Sequence, residues 1–433
     1  MKATVIIVSM LFGMNVCAVA SDIIVRGQVL DVSGKPVSDV MVTDGFSITR
    51  TDMYGAYEIR SDRFSDYVYY TLPSGYDHAE YDGCIPVFYH EIDKTVACQK
   101  INFRIRPLES DMTEHRLIVF ADPQVAVKDE FTLLDKVVED MRQTVQNCDI
   151  PAIALCVGDN VFDRHELIGE YKRSISSAGI PVYHAIGNHD LDYNGRSDYR
   201  SDSTFCSHFG PSHYSFNVGK IHYVVLKDVF YYGDSFLYIG YLDEAQLSWL
   251  EQDLNAVEKG GTVIVGMHIP AIYGDSRDAG QQDKMRNEVL NNRALFGILA
   301  GYNVHIMAGH SHTQWNTVVS DNIMEHVHVA ASGAWWQGKS GRDGTPAGYT
   351  VYEMDGQDVS WYYKGAGMCP DEQFVLYRDG DMLIANVFNY DPLWKVEICV
   401  DGIPAGEMER YWGADPGAVE LYPAGQNKTY PWL

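Results

Sequence analysis

Five apolar runs in the middle of the chain each end in a residue that can hold a metal ion, and this repetition constrains the fold more than any other feature. They are "RLIVFADPQ" with Asp122 and Gln124, "PAIALCVGD" with Asp159, "IPVYHAIGNHD" with Asn188, His189 and Asp190, "GTVIVGMHIP" with His268, and "YNVHIMAGHSH" with His310 and His312. A lone histidine after a strand is commonly structural, and a Gly-Asp pair is commonly a turn. Five such ends in one region are another matter, because α/β sheets gather their sites at the carboxyl ends of strands. Helical stretches separate the runs. In "EFTLLDKVVEDMRQTVQN", Phe131, Leu134, Val138, Met141 and Val145 recur on one helical face. The alternation of strand and helix predicts an α/β domain over residues 111–356.

The flanks read differently. Between residues 21 and 110, short alternating runs such as "AYEIR" and "INFRIR", punctuated by turn residues, predict a small β-sandwich. Residues 357–433 return to strand-like pieces such as "MLIANVFNY", a C-terminal β-rich module. The composition shift near residues 109–115 predicts that the α/β region folds without the first module.

Residues 1–20 pair Lys2 with the apolar run "ATVIIVSMLFGMNV" and the cleavage-like "AVA", the pattern of a signal peptide. A secreted or periplasmic protein is the expectation. Lipid anchoring through Cys17 is the lesser alternative, since Val16 stands where that signal prefers a small residue. No later run has the length and apolarity of a transmembrane helix. A formal net charge of −26 disfavours binding to nucleic-acid duplexes or anionic membranes. The cysteines show no CxxC spacing, so they form neither a zinc ribbon nor a disulfide framework; a Cys84–Cys98 pair is the one intramodule bridge left open.

The order and identity of the strand-end residues resemble the calcineurin-like metallophosphoesterase superfamily. The resemblance covers the α/β region; "VRGQVLDVSGKPVSDVMVTDG" is similar to the transthyretin-like modules that precede exported members. It implies a four-layer αββα sandwich and two divalent cations, most simply manganese, with iron or zinc as alternatives. Asp159 is then the carboxylate shared by both cations, Asp122, Gln124 and His312 belong to the first, and Asn188, His268 and His310 to the second. Two cations clamp a phosphoryl group and activate the water or hydroxide between them. His189 is the implied general acid. Two acids compete to orient it: Asp163, one residue out of register with the family's second Asp, is favoured over Asp190.

Two departures matter. Gln124 stands where the family has histidine, and an amide oxygen is a weaker donor to a transition metal than imidazole. Phe162 stands where the purple acid phosphatases place their iron-binding tyrosine, which excludes that variant. The stretch "GAWWQGKSGRDGTPAGY" offers Trp335, Trp336, Lys339, Arg342 and Tyr349, with Trp335, Trp336 and Arg342 expected at the substrate. The implied activity is a phosphodiesterase or phosphatase acting on a small phosphorylated substrate: a nucleotide, phospho-sugar, head group or wall polymer. A phosphoesterase that has lost its chemistry and binds a glycan or cell-wall polymer is the rival from another class.

Overall fold

The computed structural model describes residues 23–61, 64–234, 236–273, 281–410 and 413–421. The expected signal peptide and Cys17 lie outside the described residues.

Beside a short Val229–Tyr231/Tyr238–Gly240 hairpin, eleven strands build the two large sheets of the α/β body: β1 (Glu114–Phe120), β2 (Ala152–Cys156), β3 (Val182–His184), β4 (Tyr214–Val218), β5 (Ile221–Val225), β6 (Thr262–Gly266), β7 (Asn303–Ala308), β8 (Trp315–Ser320), β9 (Ile323–Val327), β10 (Gly348–Asp355) and β11 (Asp358–Gly365). They form two sheets, ordered β3-β2-β1-β10-β11 and β4-β5-β6-β7-β9-β8. β1, β2 and β3 run parallel, as do β5, β6, β7 and β9. Parallel strands buried on both faces are apolar throughout, and every residue of β2, β5 and β6 is buried.

Alternation along each strand divides its side chains between two layers. Leu117, Val119, Ile153 and Leu155 of the first sheet meet Tyr223, Val225, Ile264 and Met307 of the second in one apolar core. The opposite faces take helices. Ile118, Phe120, Ala154 and Cys156 share a cluster with α1 (Phe131–Gln146), α2 (Ile168–Ser176) and α3 (Ser203–Phe209). Val263, Val265 and Ile306 belong with α4 (Glu244–Leu254) and, beyond the short α5 (Gln281–Asn287), with α6 (Asn292–Leu299). The result is the mixed α/β sandwich of the metallophosphoesterase fold. On α1 the buried face is Phe131, Leu134, Val137, Val138 and Met141, with Val145 packed at its margin. Strand pairing continues past residue 356, since β10 pairs with β1 on one side and with β11 on the other.

The N-terminal strands form a five-stranded and a four-stranded sheet. Their core is continuous with that between the two large sheets: Val42, Tyr70, Phe88 and Phe103 share a cluster with Tyr183, Tyr214 and Phe216. Polar contacts cross the same junction. His78 Nε2 lies 3.0 Å from the Tyr183 hydroxyl, and the Trp249 indole N–H donates to Thr43 Oγ1 at 3.2 Å. The independence expected of the α/β region therefore meets a physical objection. Burying one large apolar side chain is worth about 2 kcal/mol, and whole domains are stable by only about 5–15 kcal/mol. A chain starting at Ser110 is expected to lose soluble yield and cooperative melting; an unchanged melting temperature by scanning calorimetry would show that the shared core is not needed.

Cys84 is buried and Cys98 exposed, and both are free thiols, so the bridge left open by the sequence is not formed. At the other end, hairpins Phe374–Asp379/Met382–Val387 and Glu397–Val400/Ile403–Glu407 are largely exposed. Asn389 anchors this module: its Oδ1 accepts from Gln314 Nε2 and Asn316 Nδ2, both at 2.9 Å. Gln314 closely follows His312, so the anchor falls beside the second strand-end histidine. Among the described residues, no helix is long and apolar enough to cross a membrane.

Candidate metal centre

The chain turns sharply after three of the strands that feed this centre, β1, β2 and β7. Asp122, Gln124, Asp159, His310 and His312 have φ of 49°, 38°, 55°, 69° and 56°. Non-glycine residues seldom occupy that left-handed region, and clusters of them mark functional sites. Close approach fixes a glycine here too: a Cβ on Gly187 would lie 2.2 Å from the Asp159 backbone nitrogen and Oδ1, so the β3 end reaches Asp159 only without a side chain.

Two three-residue groups result, and they share one carboxylate. Asp159, His268 and His310 present ligand atoms within 4.8 Å of one another, and so do Asp122, Asp159 and His312. His268 Nε2 is 3.4 Å from Asp159 Oδ1 and 3.1 Å from Asn188 Oδ1, which brings Asn188 into the first group. His312 Nε2 is 3.3 Å from Asp122 Oδ1. Second contacts orient the rings. His268 Nδ1 donates to the Val157 carbonyl at 2.9 Å, so its neutral ring keeps the lone pair on Nε2, towards Asp159. His310 Nε2 bonds Asn287 Oδ1 at 2.9 Å, and its backbone N–H donates to Asp122 Oδ2 at 2.9 Å.

Electrostatics make this a place for cations. Burial disfavours charge on Asp159, yet the imidazoles of His268 and His189 outweigh it and hold the carboxyl well below the usual range. Burial alone would lower His268, but Asp159 beside it lifts the ring to about 10. Asp122 Oδ1 and Gln124 Oε1 are buried without a hydrogen-bond donor. Buried oxygens of this kind are costly unless something positive meets them, so the donor set fits a divalent cation. Gln124 lies where the sequence placed it, and its Nε2 donates to Asp159 Oδ2 at 2.7 Å. It thus touches the shared carboxylate as well as offering an oxygen.

His189 adjoins these groups. Its backbone N–H donates to Asp159 Oδ1 at 2.8 Å, and its ring stacks on Phe162 with centroids 4.1 Å apart. Nδ1 is 3.0 Å from Asp163 Oδ2. Asp190 is engaged elsewhere: it accepts from Gly187 N at 2.9 Å and from Asn160 N at 3.0 Å. Of the two competing carboxylates, Asp163 is the one in contact with the His189 ring. Burial lowers the His189 ring, but Asp159 and Asp163 raise it above its ordinary value.

The expected substrate residues separate. Trp335 comes within 4.7 Å of the His312 ring, centroid to centroid, and the Arg342 guanidinium is 5.4 Å from the Trp335 ring centre. Trp336 instead ties its indole N–H to the Pro123 carbonyl at 2.8 Å, bracing the β1 end. Tyr349 points away, its hydroxyl donating to Asp140 Oδ1 at 2.6 Å. The sequence reading passed over Asp228, which lies three residues beyond β5 and accepts from His268 N at 3.1 Å and Ile269 N at 2.7 Å. Burial pushes Asp228 up to about 7. Asn287, Tyr193, whose hydroxyl donates to the Asn188 carbonyl at 2.6 Å, and Tyr238, edge-on to the His310 ring at 6.0 Å, were also missed, and they carry no local motif.

Comparisons with known proteins follow the same lines. The model "Calcineurin-like phosphoesterase" matches residues 115–314, and those for the N terminal and C terminal of calcineurin-like phosphoesterase match residues 23–108 and 325–430. Mouse (Mus musculus) serine/threonine-protein phosphatase CPPED1 is 31% identical over 152 residues, 33% of this chain and 47% of that protein. The chain thus spans about half the length of that curated relative. Among solved structures, a dimetal phosphatase from Danio rerio is similar at 14% identity and a TM-score of 0.43, covering 63% of this chain and 99% of that one. A purple acid phosphatase from yellow lupin (Lupinus luteus) seeds is similar at 14% identity and a TM-score of 0.43, covering 74% and 56%.

Proposed function

The chain belongs to the calcineurin-like phosphoesterase family, and from that premise we propose that it is a metal-dependent phosphoric ester hydrolase that cleaves a small phosphodiester in preference to a monoester. The observation that carries the two-metal reading is the sharing of Asp159 between both ligand groups. Asp122, Gln124 and His312 would complete one cation's donor set, and Asn188, His268 and His310 the other's. When bound, the two cations supply phosphoryl charge neutralisation and a water of lowered pKa. Mixed carboxylate, amide and imidazole donors without thiolate favour manganese.

The chain's own residues do the rest. His189, held by Asp163 at 3.0 Å and by stacking on Phe162, keeps a proton on its ring for the departing ester oxygen. Trp335 beside His312 and Tyr238 beside His310 give each ester arm an aromatic face, which favours a diester. The leader-like run at residues 3–16 supports action outside the cytoplasm. The test is hydrolysis of bis(p-nitrophenyl) phosphate and p-nitrophenyl phosphate by the full-length chain with manganese and with chelator. Manganese-dependent turnover, faster on the diester, is expected; turnover indifferent to chelator, or faster on the monoester, would overturn the reading.

Gln124 yields a separate expectation. With an amide as a weak donor, occupancy beside Asp122 limits activity at low manganese. Gln124→His is expected to lower the manganese needed for half-maximal rate by about tenfold, equivalent to about 1.4 kcal/mol. The saturated rate need not rise, because a stronger donor makes a weaker Lewis acid. Identical manganese titration curves for the two proteins would remove residue 124 from the metal's surroundings.

A further inference from the structure

The wall beside His310 contains a cation that the chemistry above leaves without a task. Arg286 lies in α5 one residue before its last residue, Asn287, the partner of His310. Its guanidinium lies 4.5 Å from the Tyr238 ring centre, and that ring stands edge-on to His310 at 6.0 Å. The Arg286 Nε is buried with no hydrogen-bond partner, Nη2 reaches the Phe236 carbonyl at 3.5 Å, and the guanidinium also hydrogen-bonds the Tyr238 hydroxyl. Among the described residues, no carboxylate lies in ion-pair range of Arg286, although the chain has 59 acidic residues against 33 basic ones.

Arg164 and Lys227, which adjoin Asp163 and Asp228 in the chain, are already engaged. Arg164 pairs with Glu166 at 2.6 Å, and Lys227 pairs with Asp198 and Asp202 at 3.1 and 3.3 Å. Arg286 also shares the field of the reacting region: the Tyr238 hydroxyl feels both this guanidinium and the Asp159 and Asp163 carboxylates. A planar cation braced on an aromatic ring, with no carboxylate to neutralise it, is suited to take an anion.

Resting on the two-metal phosphoesterase reading, we propose that Arg286 and Tyr238 form a subsite for a second anionic group, a carboxylate or phosphate, carried by the ester arm that lies beside His310. The substrate class narrows accordingly, to phosphate esters with an acidic substituent on one arm. The contact is one of recognition and leaves the bond-breaking groups untouched, so it appears in binding without turnover.

Phosphonates test this, since their carbon–phosphorus bond is not cleaved by ester hydrolysis. The manganese-loaded full-length chain is titrated by calorimetry with phosphonoacetate, 3-phosphonopropionate and 4-phosphonobutyrate, each against the alkylphosphonate of equal chain length. At least one acid is expected to bind about tenfold more tightly than its alkyl counterpart, the scale of one charge-assisted contact. Arg286→Ala and Arg286→Gln are expected to remove that preference while alkylphosphonate affinity stays within about twofold, which also shows that the variants are folded. No preference in the wild type at any length, or an equal preference in both variants, overturns the subsite. Absence of any phosphonate binding to the manganese-loaded wild type overturns the two-metal reading itself.

Discussion

Replacing Asp159 with asparagine is expected to lower turnover by at least about a thousandfold and to reduce manganese bound per chain. Asp159 is the one carboxylate common to both ligand groups, and asparagine offers a single neutral oxygen in its place. The fold should survive the change. Asparagine has the same shape, it is among the few residues at ease at positive φ, and its Oδ1 can still accept one of the bonds that Gln124 Nε2 and His189 N now make at 2.7 and 2.8 Å. A near-native melting curve with metal content and rate both collapsed is the expected pattern. Near wild-type activity with unchanged metal would remove Asp159 from the centre.

The His189→Ala protein is expected to separate chemistry from metal binding. Removing a general acid costs about 10²–10⁴-fold in rate, while both ligand groups remain. The loss should depend on the leaving group. A p-nitrophenolate departs without a proton, so its diester should suffer least; an alkyl ester, whose alkoxide needs the proton, should suffer most. Asp163→Asn, which weakens only the 3.0 Å contact to Nδ1, should follow the same order with a smaller loss of about tenfold. Equal losses for good and poor leaving groups would give His189 a purely electrostatic part.

The ends of β1, β2, β3, β6 and β7 were legible in the sequence because two local signals coincide there: an apolar run long enough for a buried strand, and a ligand type immediately after it. What escaped lacks one of those signals. Asp228 follows a strand but has no motif around it, and its service to the His268 and Ile269 N–H groups exists only once β5 and β6 lie side by side. Asn287, Tyr238 and Arg286 reach the centre from α5 and from the segment before α4, where nothing in the local pattern marks a ligand. The sequence favoured Asp163 over Asp190 on motif resemblance alone, across a one-residue difference in spacing. The fold separates them, since Asn160 and Gly187 hold Asp190 through backbone donors and leave Asp163 to the ring.

The modular reading had a similar limit. Alternating runs mark the N-terminal strands, but they cannot show that Tyr70 and Phe88 share a core with Tyr183 and Phe216. Nor does the sequence order reveal that β10 returns beside β1, the central strand of the first sheet, and that β11, beyond the module boundary expected at residue 356, extends the same sheet. Both are long-range pairings, set by packing between segments far apart in the chain.

The two-metal centre is tested most directly by counting the manganese bound per full-length chain at saturation, using equilibrium dialysis followed by elemental analysis. With Asp159 common to two separate ligand groups, two ions per chain are predicted. One ion or none, in a protein that still hydrolyses the diester, would contradict it.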